Sequence, residues 1–251
     1  MSTIKTVVIT GGTSGIGLGL ATRFQRRGDV VLVTGRSAER LAEVAGKLPG
    51  VLTFDGDLSH HEDRERLGAH ISDVLPGVDV LINNAGIQRR VEIAADTATW
   101  GERESEIDLL LSAPIHLASL VTPLQLAHGR PSQIVNVTSG GAFIPQPFAP
   151  TYSAAKAALH SYTMNLRWAL AETNIRVTEL IPPAVATELA GPGNTHGANV
   201  DEFCDAVFPG ILAALDEVGY GPTASQEFIA ALAKEHATFE AMAGRFEITR
   251  F

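Results

Sequence analysis

From Thr6 to Ile181 the chain alternates short β-branched runs with longer helix-patterned stretches, and this alternation restricts the fold more than any other feature. Residues 6–10, 30–34, 51–54, 78–82, 134–138 and 175–181 read as strands. They are apolar almost throughout rather than at every second position, as expected of parallel strands covered on both faces. Helical patterns lie between them at 16–27, 38–47, 62–75, 99–126 and 152–172. Strand–helix–strand units with right-handed crossovers build a doubly wound α/β sheet with helices on both faces. The pattern loosens after Pro182, where 182–200 holds Pro182, Pro183, Gly191, Pro192, Gly193 and Gly197 and reads as a long loop. Residues 201–218 and 224–243 then look helical. The expectation is one domain over 1–251, in which 188–208 forms a lid over a binding site.

Bulk properties narrow the partners. An apolar fraction of 45% in 251 residues supports a large core, and a net charge of −9 disfavours nucleic acid and anionic membrane, which need clustered cations. The single cysteine, Cys204, permits no intrachain disulfide and reads as a small core residue. The N-terminus lacks a signal-peptide layout, and no apolar run reaches the ~18 residues of a membrane helix. The default expectation is a cytoplasmic protein. The eight histidines show no metal-ligand spacing, so no metal site is expected.

The first strand runs into Gly11-Gly12-Thr13-Ser14-Gly15-Ile16-Gly17, and a helix follows. Glycines allow a tight turn and close backbone approach to a pyrophosphate, while the helix N-terminus offers N–H donors and a positive dipole end. The spacing is G-x-x-x-G-x-G, and its place between strand and helix makes it a nucleotide cradle on a Rossmann-type domain. The second strand ends in Gly35-Arg36, where an acid would bind the ribose 2′-hydroxyl of NAD. Arg36 instead suits a 2′-phosphate, so NADP is preferred and NAD remains possible. Asp57 and Leu58 follow the third strand; Asp57 suits either the adenine edge or a helix cap. After the fourth strand, Asn83 reads as structural and Asn84, Ala85 and Gly86 as cofactor-adjacent.

Ser139 stands just past the fifth strand, at the carboxyl end where open α/β sheets bind ligands. Tyr152 and Lys156 are four apart at a helix start and share a face. A ketone that receives a hydride needs a proton on its oxygen. A nearby ammonium favours the phenolate and lowers the tyrosine pKa, which makes Tyr152 a general acid in one direction and a general base in the other. The Ser139 hydroxyl holds the substrate oxygen. No G-x-S-x-G surrounds Ser139, which argues against a hydrolase triad. His160, two turns beyond Tyr152, reads more simply as a surface or interface residue than as one facing the site.

Taken together, the glycine loop, the Asn-Asn-Ala-Gly stretch at 83–86, Ser139 and Tyr152-x-x-x-Lys156 resemble the short-chain dehydrogenase/reductase family. Residues 106–117 and 181–189 resemble its DltE-like bacterial subgroup. The resemblance implies hydride transfer between NADP(H), or less readily NAD(H), and a carbonyl or secondary alcohol. It implies that Lys156 also holds the nicotinamide ribose, and that Pro182, Val185 and Thr187 lie near the carboxamide. Pro183 stands where the family usually has glycine. An asparagine of a Ser-Asn-Tyr-Lys tetrad, which holds a proton-relaying water, is replaced by Leu110. A cofactor-binding sensor with weak turnover is therefore the alternative function; a halohydrin-lyase-like use of the fold is disfavoured by Lys156. The family's helix pair, here 99–126 and 152–172, forms a dimer seam, which implies a homodimer or homotetramer. Phe143, Pro145, Phe148 and Leu189 suggest an apolar substrate pocket, and three prolines between Gly140 and Pro150 a rigid wall.

Overall fold

The computed structural model describes residues 4–191 and 196–246. In chain order the elements are β1 (Thr6–Ile9), α1 (Gly15–Arg26), β2 (Val30–Gly35), α2 (Ala38–Lys47), β3 (Leu52–Asp55), α3 (His61–Val74) and β4 (Val80–Asn83). Then come α4 (Trp100–Ile107), a π-helical turn (Asp108–Ser112), α5 (Ala113–His128), β5 (Ser132–Val137) and α6 (Pro150–Ala169). The chain continues through β6 (Ile175–Ile181), α7 (Val200–Leu212), β7 (Glu217–Gly219) and α8 (Gln226–Ala243). The seven strands form one sheet in the order β3-β2-β1-β4-β5-β6-β7. Every neighbouring pair is parallel.

Strand alternation sorts the core onto two faces. Val7, Ile9, Val31, Val33, Val80, Ile82 and Val135 face one way and pack with residues of α1, α2 and α7. Val8, Leu32, Leu81, Ile134 and Val177 face the other way and pack with α3 and α5. Burial on both sides is why these strands carry no polar alternation. The chain reverses its winding direction between β1 and β4, and at such a switch the carboxyl ends of the strands splay and leave a crevice.

Two expectations need correction. Residues 201–218 are not one helix: α7 ends at Leu212, Ala214 takes φ +50°, and β7 follows, with Val218 opposite Leu180. Three residues are too few to show strand periodicity, and the alanine-rich turn before them looks helical in composition. The second correction concerns apolarity. The helical stretch Trp100–His128 is long and apolar enough by composition to cross a membrane. Part of it is core helix: Leu117, Ala118 and Val121 of α5 pack on the sheet.

Of the expected lid at 188–208, residues 192–195 lie outside the described residues. Its C-terminal part is the start of α7, docked on α1. The buried Arg23 guanidinium donates to Asp205 at 2.8 Å and to the Asp201 carbonyl at 2.8 Å, which ties the two helices together.

Candidate active site

A cleft of about 540 Å³ opens at the carboxyl ends of the strands, at the switch between β1 and β4. The glycine loop supplies Gly11, Thr13, Ser14, Gly15 and Ile16 to its wall. Arg36 enters from the end of β2 and Leu58 from beyond β3. The end of β4 contributes Asn84, Ala85 and Gly86. Ser139, Tyr152 and Lys156 line the opposite side, with Pro182, Val185 and Thr187 beyond β6.

The loop is held by backbone-directed bonds. The Thr10 hydroxyl accepts from the N–H groups of Asn84 (2.9 Å) and Ala85 (3.0 Å), and the Asn84 amide donates to the Thr10 carbonyl at 2.9 Å. Gly11 has φ +64°, and a β-carbon there would come within 2.8 Å of the Ala85 Cα. Gly17 does not reach the cleft wall. Its role is packing: a β-carbon would stand 2.3 Å from the Gly11 carbonyl oxygen and 2.5 Å from the Asn84 amide nitrogen. The first turn of α1 carries no acidic residue, and Ser14 makes no side-chain cap. Its N-terminal dipole therefore faces the cleft without a side-chain anion, which suits a phosphate.

Asp57 does not line the cleft either. Its carboxylate accepts from the Ser59 N–H (3.0 Å) and hydroxyl (2.8 Å) and lies 3.6 Å from Arg36. Burial pushes its pKa upward, but the two Ser59 bonds and Arg36 outweigh it and hold the carboxyl below the usual range. Sequence reasoning missed Arg40, one turn into α2, which lines the cleft beside Arg36 and bonds Glu188 at 3.2 Å. Its four-residue spacing from Arg36 was the available signal.

At the other end, Asn83 behaves as expected of a structural amide. It donates to Asn136 at 2.9 Å, and Asn136 donates to Thr163 of α6 at 2.9 Å. These bonds fix α6 against the sheet. Tyr152, Lys156 and Ser139 are each less than a tenth exposed. Ser139 accepts from the Gly141 N–H at 3.0 Å, and Lys156 Nζ donates to the Val137 carbonyl at 2.6 Å and sits 5.8 Å from the Tyr152 ring centre.

The electrostatics depart from expectation. Burial raises the Tyr152 pKa above its ordinary value; the Ser139 hydroxyl opposes this, and the charge of Glu106 adds to it. Lys156 is itself brought down to about 8 by burial, with Glu179 pulling the other way. The expected lowering of the tyrosine pKa by lysine is not what this site shows: desolvation raises it, and the opposing influence comes from Ser139. Glu106, also missed, is buried in α4 and accepts from the Arg89 N–H at 3.1 Å; burial keeps its carboxyl above the usual range.

Other readings are revised by packing. Leu110 is fully buried in a cluster with Ala149, Tyr152 and Ala155. Phe143 does not face the cleft; its ring meets His160 at 4.6 Å and Phe228 at 4.9 Å. His160 is neither a surface nor a cleft residue but is buried, with Nδ1 2.8 Å from Glu179. Leu189 does line the cleft. Cys204 is buried, and desolvation pushes its thiol up to about 11, which keeps it inert.

Comparisons with known proteins place this geometry. The family model for short chain dehydrogenases matches residues 5–197. The uncharacterized oxidoreductase DltE of Bacillus subtilis is 43% identical over 187 residues, covering 74% of this chain and 74% of its own length. A short-chain dehydrogenase from Sphingobium yanoikuyae, solved with NADPH, superposes with TM-score 0.85 at 27% identity, over 98% of this chain and 97% of that one. L-sorbose reductase from Gluconobacter frateurii, solved with NADPH and L-sorbose, gives TM-score 0.69 at 30% identity over 74% of this chain and 71% of its own. The chain belongs to the short chain dehydrogenase family, beside its DltE-like members, and is an NAD(P)-dependent oxidoreductase.

Proposed function

We propose that the protein reduces a carbonyl compound with NADP(H), and that Ser139, Tyr152 and Lys156 carry the chemistry. The observation behind this reading is their convergence, buried, on one side of the cleft whose other side is a glycine loop. The loop and the α1 N-terminus suit a pyrophosphate, and Arg36 with Arg40 suits a 2′-phosphate. NAD remains the second choice of cofactor. Asn84, Ala85, Gly86, Pro182, Val185 and Thr187 would hold the nicotinamide half, and Leu58 the adenine. When bound, the nicotinamide supplies the hydride.

The chain's own residues handle the proton. Burial keeps the Tyr152 phenol protonated, so it stands ready as the proton donor to a carbonyl oxygen. Ser139 orients that oxygen with its hydroxyl. Lys156 stabilises the phenolate left behind and holds ribose. Leu189 and Ile87 at the cleft favour an apolar or weakly polar substrate. The NADPH complex of L-sorbose reductase, a similar protein, supports both cofactor and reaction type.

The single-domain reading of 1–251, a substrate lid over 188–208, a homodimer or homotetramer through α5 and α6, and a cytoplasmic location belong to the same proposal. Within that seam Leu117 and Leu159 are core, while Tyr162 and Leu166 are half-buried. The burial of Leu110 beside Tyr152 favours a second reading, a cofactor-binding sensor with weak turnover. Fluorescence titration with NADPH and NADH, followed by a ketone and aldehyde panel read at the nicotinamide absorbance, separates the two. NADPH oxidation on any carbonyl supports the reductase. Binding without turnover transfers the case to the sensor, and no binding overturns both.

A further inference from the structure

One turn beyond Lys156 on α6, a second set of buried ionisable groups begins. Lys156 and His160 are four residues apart and both less than a tenth exposed. Glu179, on β6, is completely buried, and each of its carboxylate oxygens is engaged. Oε1 accepts from the Thr138 hydroxyl at 2.7 Å, and Oε2 lies 2.8 Å from His160 Nδ1. The far side of the imidazole, Nε2, is 3.4 Å from Glu235 of α8, an ion-pair contact. Glu235 is half-exposed, and the Phe143 ring closes over the imidazole at 4.6 Å. Farther along, Glu217 of β7 meets Arg167 at 2.7 Å and His236 at 3.5 Å.

Burying a lysine, a glutamate and a histidine together is costly unless their charges serve one another. Lys156 has a carbonyl partner in Val137 and, among the described residues, no carboxylate bonded to it; Glu179 is the carboxylate whose field reaches it. The same carboxylate is bonded to His160. We propose that Glu179 is the counter-charge of Lys156, and that His160, gripped by Glu235 from α8, divides this charge and so sets the ionisation of Lys156. The proposal rests on the reading of Lys156 as the partner of Tyr152, and makes Glu179, His160 and Glu235 positioning residues that act through it.

The signs follow from the geometry. A protonated His160 neutralises Glu179 and leaves Lys156 with less to hold its proton. A neutral His160 returns the full carboxylate to Lys156. Burial lowers the His160 pKa and the two carboxylates raise it, with a net upward result that favours the protonated imidazole beside Glu179. Leu110 supplies no polar group to compete with this arrangement.

The chain has only four lysines, Lys5, Lys47, Lys156 and Lys234, so the Lys156 signal is assignable in the full-length protein carrying 13Cε-lysine. Its midpoint is read by NMR titration without cofactor, and the alkaline limb of the pH–rate profile is read beside it. Glu179→Gln is expected to lower the Lys156 midpoint by about one pH unit. His160→Gln is expected to raise it, because Glu179 is freed. Glu235→Gln is expected to raise it by a few tenths, as the nearer positive charge on His160 weakens. Opposite signs for the first two variants support the proposal; shifts in one direction, or none, overturn it. Should Glu179→Gln fail to fold, Glu235→Gln at the half-exposed end carries the test, and an unmoved or lowered midpoint overturns the proposal. Lys156 shifts of the expected signs in a protein without carbonyl turnover sink the reductase reading and leave this one standing. Turnover with an unmoved Lys156 does the reverse.

Discussion

The two sides of the cleft are built from different materials. The side under β1, β2 and β3 is backbone: glycines, a helix terminus and the threonine and asparagine bonds that shape them. The side under β4, β5 and β6 presents buried side chains with ionisable heads, Tyr152 and Lys156, with the buried Glu106, Glu179 and His160 outside the cleft lining. The first side is arranged at little electrostatic cost, since its loop groups bond locally and Arg36 and Arg40 stand at its partly exposed rim. The second holds Tyr152 and Lys156, which burial pushes toward their neutral forms. The difference teaches where each side fails: the first through shape, the second through charge.

The sharpest way to break the charged side is Tyr152→Phe. It removes one oxygen from a site that stays packed, and kcat/KM is expected to fall at least about 100-fold while NADPH affinity holds, measured by single-turnover kinetics and fluorescence titration. The matching blow to the backbone side is Gly17→Ala. The added methyl meets the Gly11 carbonyl and the Asn84 amide, so a loss of about 3 kcal/mol of stability is expected, read by urea denaturation, and nucleotide affinity falls with it.

A third variant tests the cost of charge directly. The unfolded state holds the Lys156 proton up to its ordinary pKa of 10.5, the folded state only to about 8. The folded state therefore binds fewer protons between those values, and this group's penalty is full below about 8 and relieved as the pH rises toward 10.5. Lys156→Met is expected to gain about 2 kcal/mol at pH 7, and to lose that gain across the same window, while turnover is abolished. Denaturation midpoints that do not depend on pH in this way would sink the argument.

Smaller effects sharpen the contrast. Arg36→Ala is expected to weaken NADPH about tenfold and leave NADH unchanged, since only the 2′-phosphate is lost as a partner. Leu110→Asn places a buried amide beside Tyr152. It is expected to raise kcat a few-fold at a loss of about 2 kcal/mol, and an unchanged or lower kcat in a folded variant counts against a weakened proton relay.

The same contrast explains what could be read from the residues alone. The glycine loop was legible because a positive φ at Gly11 and the tight contacts at Gly17 leave few other residue types possible. Five of the six expected strands were legible because burial on both faces leaves apolar runs; β3, at the sheet edge and mostly exposed, was legible by its β-branched and aromatic residues alone. The network at Glu179 was not, because nothing in residues 175–181 says which face Glu179 takes or that α6 brings His160 to it. His160 read as a surface group and Phe143 as a pocket wall for that reason; each is placed by α8 and β6, remote in sequence. β7 escaped because three residues carry no period. Arg40 escaped because its neighbour Glu188 is brought near only when the chain beyond β6 folds back over α2.

The π-helical turn at Asp108–Ser112 has a consequence for how knowledge moves between relatives. A π turn carries one residue more than the α turn it replaces, while α4 and α5 continue on either side. Any relative whose helix lacks that extra residue is out of step with this chain by one position across the turn, and in step again only where an alignment opens a gap. Residue roles transferred from such a relative by counting through 108–112 land on the wrong side chain, and Leu110 is better matched to it by its packing with Tyr152 than by its number.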